Sequence, residues 1–139
     1  MKNVVLDTNC LLMSLSRQSR YYPVWQHLVK GEYILCYSNE ILSEYEEILT
    51  QKMGPSIASN IISAILNLPN TRQIQVFFQL QMIVSDPDDN KFVDCAFKAN
   101  AHFIVTQDHH FDILKKIDFP KIDIINIDDL INLLESQSL

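Results

Sequence analysis

Residues 86–108 read "DPDDNKFVDCAFKANAHFIVTQD". The stretch opens as a polar loop, because Pro87 disfavours helical backbone at the residue before it. From Asp88 or Asp89 to Asn100 the pattern predicts a helix, and His102 to Val105 an apolar strand. The strand is followed by a carboxylate, Asp108. The same sequence of events begins the chain. Val4-Val5-Leu6, within a short strand over 3–6, stops at Asp7-Thr8-Asn9. A buried charge is costly unless it is paired or bound to a metal, so acids at strand ends ask for an explanation.

Between these two stretches, apolar strands alternate with helices. Residues 9–17 and 21–30 are expected to be helical, with Pro23 tolerated in a first turn. Tyr33 to Tyr37 reads as a strand set off by Gly31. "SNEILSEYEEILTQKM", residues 38–53, is a helix with Ser38 as N-cap and apolar positions 41, 42, 45, 48 and 49. Gly54-Pro55 ends it, and 55–67 repeats the pattern with Ile57, Ile61, Ile62, Ile65 and Leu66. Pro69-Asn70 punctuates the chain. Residues 74–84 are ambiguous between a short strand around Val76–Phe78 and an irregular approach to Ile83-Val84. Beyond Asp108 we expect a helix over 109–117, a strand from Ile122 to Ile127, and a last helix from Asp128 or Asp129 to residue 136.

That alternation predicts the α/β class, with a mainly parallel central sheet covered by helices on both faces. In open sheets of this kind, sites form at the carboxyl ends of strands. Asp7, the cluster Asp86–Asp89 and Asp108 would all stand there.

Composition narrows the function. The 139 residues fit a single domain over 1–139, with 47% hydrophobic and 20% charged residues, a globular balance. No apolar stretch reaches the roughly 18 residues of a membrane span, and the N-terminus does not read as a signal peptide, so no membrane association is expected. Cys10, Cys36 and Cys95 are too few and scattered for a disulfide scaffold or zinc site, and a reducing cytoplasm is the expected location. Only two glycines occur, Gly31 and Gly54, which excludes a glycine-rich phosphate loop. The net charge of −6 is unusual for a nucleic-acid binder and suits a basic protein partner. Arg17, Arg20 and Lys30 could form one basic edge, and Lys91 and Lys98 another.

The acids gain meaning together. Asp7, Glu44, the 86–94 cluster and Asp108 could meet at one edge, and three or four converging carboxylates do not all stay ionised without a counter-ion. Mg²⁺ or Mn²⁺ would supply one, with positions left for water and phosphate oxygens. Each acid also has a plain structural explanation. Asp7, Asp89 and Asp108 can cap helices, and Glu44 can be a solvated helix residue, although it lies at or near the face of Ile41 and Ile48. Thr8, Asn9 and Thr106 could orient carboxylates or water, or simply cap. His109 and His110 invite a general-base role but read better as part-exposed residues in a helix first turn.

"VVLDTN", "SNEILSEYEEIL" and "DPDDNKFVDCAFKANAHFIVTQD" resemble the PIN-domain family over nearly the whole chain, and in particular its bacterial toxins of toxin–antitoxin pairs. The resemblance implies a three-layer α/β/α sandwich and Mg²⁺- or Mn²⁺-dependent cleavage of RNA. It also implies an antitoxin protein as partner, and homodimers through helices such as the isoleucine-rich 55–67. It carries the family's acids onto Asp7, Glu44, Asp89 and Asp108. Asp94, inside the same helix as Asp89, would be a further ligand or an acid behind the ligands; the two lie about 140° apart around a helix. The chain departs from the subgroup at Gln107, where glycine is usual, so the turn before Asp108 is expected to differ slightly. Three readings compete. A phosphatase of the haloacid-dehalogenase kind needs Asp-x-Asp after strand one, and here the second position is Asn9. A receiver domain needs an acid pair there, and only one acid is present. A PIN-like interaction module without catalysis would have no need to retain all the acids.

Overall fold

The protein is described from a computed structural model covering residues 1–118 and 120–137, the side chain of Gln137 excepted. Its centre is a five-stranded parallel sheet. Strands β1 (Asn3–Leu6), β2 (Ile34–Tyr37), β3 (Thr71–Gln73), β4 (Phe103–Val105) and β5 (Ile124–Ile125) stand in the order β3-β2-β1-β4-β5. Val4 pairs with Leu35 on one side and with Phe103 on the other, so β1 is the middle strand. Val4, Val5 and Leu6 are wholly buried, as are Leu35, Cys36, Ile104 and Val105. Burying one such side chain contributes about 1.5–3 kcal/mol, and this apolar run anchors the domain.

Parallel neighbours need crossovers, and helices supply them. α1 (Thr8–Met13) and α2 (Tyr22–Val29) link β1 to β2, and α3 (Asn39–Met53) and α4 (Pro55–Asn67) link β2 to β3. α5 (Asn90–Ala99) carries the chain back to β4, and α6 (Ile127–Gln137) closes it. α5 packs across β1, β2 and β4, while α2 packs on α6 and α3 on α4. The result is the expected three-layer α/β/α architecture. The chain runs outward from β1 to β2 and β3, then returns past β1 to β4. The order therefore reverses between β1 and β4, and in open parallel sheets sites form in the crevice outside the carboxyl ends of the strands at such a point.

Local signals explain the boundaries. Ser38 caps α3 by accepting from Ile41 N at 3.3 Å. Gly54, at φ 87°, makes the corner between α3 and α4 that a side chain would strain. α5 ends in the left-handed conformation at Asn100, where asparagine replaces the commoner glycine. Cys10, Cys36 and Cys95 are buried free thiols.

Four expectations need correction. β3 is polar Thr71-Arg72-Gln73, upstream of the apolar residues that suggested a strand at Val76–Phe78. Its position is set by the buried Asn70, whose Nδ2 donates to the carbonyls of Leu28 at 2.9 Å and Tyr33 at 2.7 Å. Residues 74–84 are irregular and pinned at separate points. Leu80 N donates to Asp94 Oδ1 at 3.0 Å, and Ile83 exchanges two 2.8 Å bonds with the Asn90 amide. The helix expected over 109–117 is a 3₁₀ segment, His109–Lys116, and α1 stops at Met13, where Ser14 folds its hydroxyl onto Leu11 O at 2.7 Å. Lys91 joins no basic edge with Lys98; its side chain is 10% exposed and turned inward.

Candidate metal and catalytic centre

The end of β1 delivers Asp7 into the crevice. Its backbone N–H bonds to Val105 O at 3.0 Å, so the middle strand and β4 stay in register up to the acid itself. The side chain is 7% exposed. Thr106, just past β4, donates its hydroxyl to Asp7 Oδ2 at 2.7 Å and accepts from Asp108 N at 3.0 Å. One buried hydroxyl thus fixes an acid on each strand. Burial raises the Asp7 carboxyl above its ordinary range. The Thr106 bond pulls it down, the charges of Glu44 and Asp108 push it up, and a bond with the Thr8 backbone again lowers it.

Glu44 reaches the site from α3 through two clamps. Thr8 donates its hydroxyl to Oε2, and Lys91 Nζ stands 2.8 Å from Oε1. Lys91 also lies 3.1 Å from Asp88 Oδ1. Burial alone would lower its ammonium, but bonds to Glu44 and Asp88 outweigh that and hold it above its usual value. Tyr45, next on α3, ties the helix to β1 by donating its hydroxyl to Leu6 O at 2.6 Å.

The remaining acids come from the loop before α5 and the turn after β4. Pro87–Asp89 forms a 3₁₀ turn, with Asp89 N bonded to Asp86 O at 3.1 Å. Asp86, just before the turn, and Asp89, its last residue, both bring a carboxylate oxygen to the His110 ring, 3.6 and 3.9 Å from Nδ1. Asp108 caps the following 3₁₀ segment by accepting from His110 N at 2.9 Å, which folds the His110 ring back over the acids. Asp86, Asp89, Asp108 and His110 each offer one ligand atom, and these lie within 4.8 Å of one another. Among the described residues, Asp89 Oδ2 is shielded from solvent and has no hydrogen-bond partner. Burial pushes the Asp89 carboxyl up to about 8, followed by the charges of Asp86 and Asp108, a proton bond shared with Asp108, and the charge of Asp7. An acid oxygen without a partner among like charges is a place that a cation would fit.

Asp7 thus feels the charges of Glu44 and Asp108, and Asp89 those of Asp86, Asp108 and Asp7. Asp94 stands apart from them. Its Oδ1 accepts from Leu80 N, burial raises its carboxyl, and the acid that acts on it is Glu40. Asn9 is exposed on α1. Gln107 answers the irregular turn in its own way, with Oε1 accepting from Ile127 N at 3.0 Å and so fastening the turn to α6. Sequence reasoning put Asp86 in the acidic cluster without singling it out as a ligand, read Lys91 as part of a basic edge, and set His110 aside. The Asp-Pro-x-Asp spacing, with its 3₁₀ tendency, was the available signal for Asp86; the other two depend on how loops return to the sheet.

The PIN domain sequence profile matches residues 3–110. No curated protein matches the chain. Among solved structures, DNA-bound VapBC from Salmonella typhimurium superposes with a TM-score of 0.61 at 14% identity, over 91% of this chain and 99% of that one. VapBC2 from Rickettsia felis, bound to a promoter DNA fragment, gives 0.60 at 14% identity over 89% and 98%. VapC20 from Mycobacterium tuberculosis, a toxin that cleaves the sarcin-ricin loop, gives 0.57 at 13% identity over 78% and 92%. At such identities the likeness speaks for the fold. The profile covers four of the five strands and every acid of the crevice, and with it the chain belongs to the PIN-domain family.

Proposed function

We propose that this protein is a Mg²⁺- or Mn²⁺-dependent endoribonuclease, the toxin of a toxin–antitoxin pair. The observation that carries the reading is the orphaned Asp89 oxygen among Asp7, Asp86 and Asp108, at the point where the strand order reverses. Asp86, Asp89 and Asp108 would hold the ion, with Asp7 beside them. When bound, such an ion supplies a Lewis acid for a phosphodiester oxygen and a water acidic enough to attack phosphorus near neutral pH. The chain's own part is positioning. Thr106 fixes Asp7 and Asp108 relative to each other. Thr8 and Lys91 hold the Glu44 carboxylate in place, where it can orient water or accept its proton.

RNA is the favoured substrate despite the acidic balance. Arg17 and Arg20 line an open hollow of about 570 Å³ with Ser19, Tyr22, Pro23 and Gln26, a basic patch able to take backbone phosphate. An antitoxin partner follows from the likeness to VapBC complexes, and the net charge of −6 suits a basic one. Ile57, exposed on α4, and Ile61 one turn on are the residues for a homodimer contact. The three free thiols suit the reducing cytoplasm, and among the described residues no helix is long and apolar enough to cross a membrane.

Asp7→Asn tests the reading. The amide keeps the Thr106 acceptor and removes the charge. Cleavage of a mixed single-stranded RNA in Mn²⁺ should fall about a hundredfold or more, roughly 2.7 kcal/mol of transition-state stabilisation. The metal-free variant should be no less stable than the parent, because a buried, repelled carboxylate has gone. Full activity in Asp7→Asn, or activity of the parent in EDTA, would overturn the proposal. Absence of cleavage in the parent under every ion would favour an interaction module.

A further inference from the structure

The ligand cluster holds one nitrogen. His109 and His110 are adjacent in sequence and opposite in placement: the His109 side chain is 94% exposed and pairs with Asp112 at 3.3 Å, away from the acids. His110 turns inward. Its Nδ1 stands 3.2 Å from Asp108 Oδ1, 3.6 Å from Asp86 Oδ2 and 3.9 Å from Asp89 Oδ2. A pairwise contact would approach one carboxylate and leave the others. Here the nitrogen faces three, from two separate loops.

Those spacings have a geometric meaning. Two atoms bound to one divalent ion at about 2.2 Å stand about 3.1 Å apart across a right angle and about 4.4 Å apart across the ion. All three distances from Nδ1 fall between these limits. The His110 backbone is also fixed at this point, its N–H donating to Asp108 Oδ1 at 2.9 Å. The second, independent observation is the solvent-shielded Asp89 Oδ2, 3.9 Å from Nδ1 and without a hydrogen-bond partner.

We propose that His110 Nδ1 is a direct metal ligand beside Asp86, Asp89 and Asp108, and that this nitrogen makes the site select Mn²⁺ over Mg²⁺. The inference rests on the metal-dependent reading above and adds which ion it uses. Mg²⁺ is hard, keeps its water and takes oxygen ligands. First-row transition ions accept imidazole more readily than Mg²⁺ does, and Mn²⁺ also suits carboxylate oxygens. Three carboxylate oxygens with one imidazole nitrogen match that ion.

The test is binding and spectroscopy on the full chain. Mn²⁺-loaded parent protein should give the pulsed-EPR ¹⁴N coupling of a directly bound imidazole, and His110→Ala should bind Mn²⁺ without it. By calorimetry the parent should bind Mn²⁺ about 30-fold or more tighter than Mg²⁺, and His110→Asp should bring the ratio to within about fivefold. The side chain is 47% exposed, so neither substitution disturbs the core. Bound Mn²⁺ without nitrogen coupling in the parent, or an unchanged ion ratio in His110→Asp, would overturn the role of His110 while leaving metal-dependent cleavage standing. A parent protein that binds neither ion would overturn both.

Discussion

Thr106 Oγ1 donates to Asp7 Oδ2 at 2.7 Å across the seam between β1 and β4. The same oxygen accepts from Asp108 N at 3.0 Å, so a residue 4% exposed couples the positions of two acids that repel each other. Thr106→Val keeps the shape and removes both bonds. It should cost about 1–3 kcal/mol of stability, the penalty for stranding buried polar groups. It should also move the cleavage pH profile to higher pH, because the Thr106 bond is what pulls the Asp7 carboxyl down. Thr106→Ser should restore both. A valine variant with the parent's melting temperature and pH profile would remove Thr106 from the account.

Asp94 poses a sharper choice between ligand and brace. Its carboxylate is 6% exposed, accepts from Leu80 N and is raised by burial and by Glu40. Asp94→Asn preserves the acceptor and should leave Mn²⁺ affinity and cleavage within about threefold, with metal-free stability equal or higher, since a buried carboxylate has been neutralised. Asp94→Ala strands the Leu80 N–H and should speed proteolysis within 74–84. A large loss of Mn²⁺ affinity in Asp94→Asn would make it a ligand after all.

These residues also mark how far the sequence could be read. Asp7 and Asp108 were legible because each follows an apolar strand of a βα alternation, and strand ends converge in a parallel sheet. Glu44 was legible as an acid beside an apolar stripe. β3 was not, because a three-residue polar edge strand has no hydrophobic period, and its position depends on Asn70 bonding to carbonyls 42 and 37 residues away. Lys91 looked like a surface cation because nothing local reveals that Glu44, on another helix, waits for it. The surroundings of Asp94 were not legible, because helical spacing does not say where residues 74–84 run, nor therefore that Leu80 N reaches its carboxylate. His110 depends on the 3₁₀ turn that Asp108 caps, and turn type is the hardest feature to read from short polar sequence.

The charge imbalance at Asp89 predicts how the metal-free protein responds to pH. Burial and neighbouring acids push this carboxyl up to about 8, against an ordinary value of 3.8. Below the lower value both folded and unfolded chains carry the proton. Between the two, the unfolded chain has lost it and the folded chain retains it, so the unfolded state binds fewer protons and stability falls as pH rises. Asp7 and Asp94 are raised too and act in the same direction. In EDTA the melting temperature should therefore decline from pH 5 to pH 8, by about 5 °C or more, and flatten above. Asp89→Asn removes the largest contribution and should flatten much of the slope. Saturating Mn²⁺ should reverse it, because the ion binds the ionised carboxylates and stabilises the folded state by mass action. A melting temperature that is level or rising across that range in EDTA, for parent and Asp89→Asn alike, would mean that the acids do not press on one another and that the crevice is not poised for a cation.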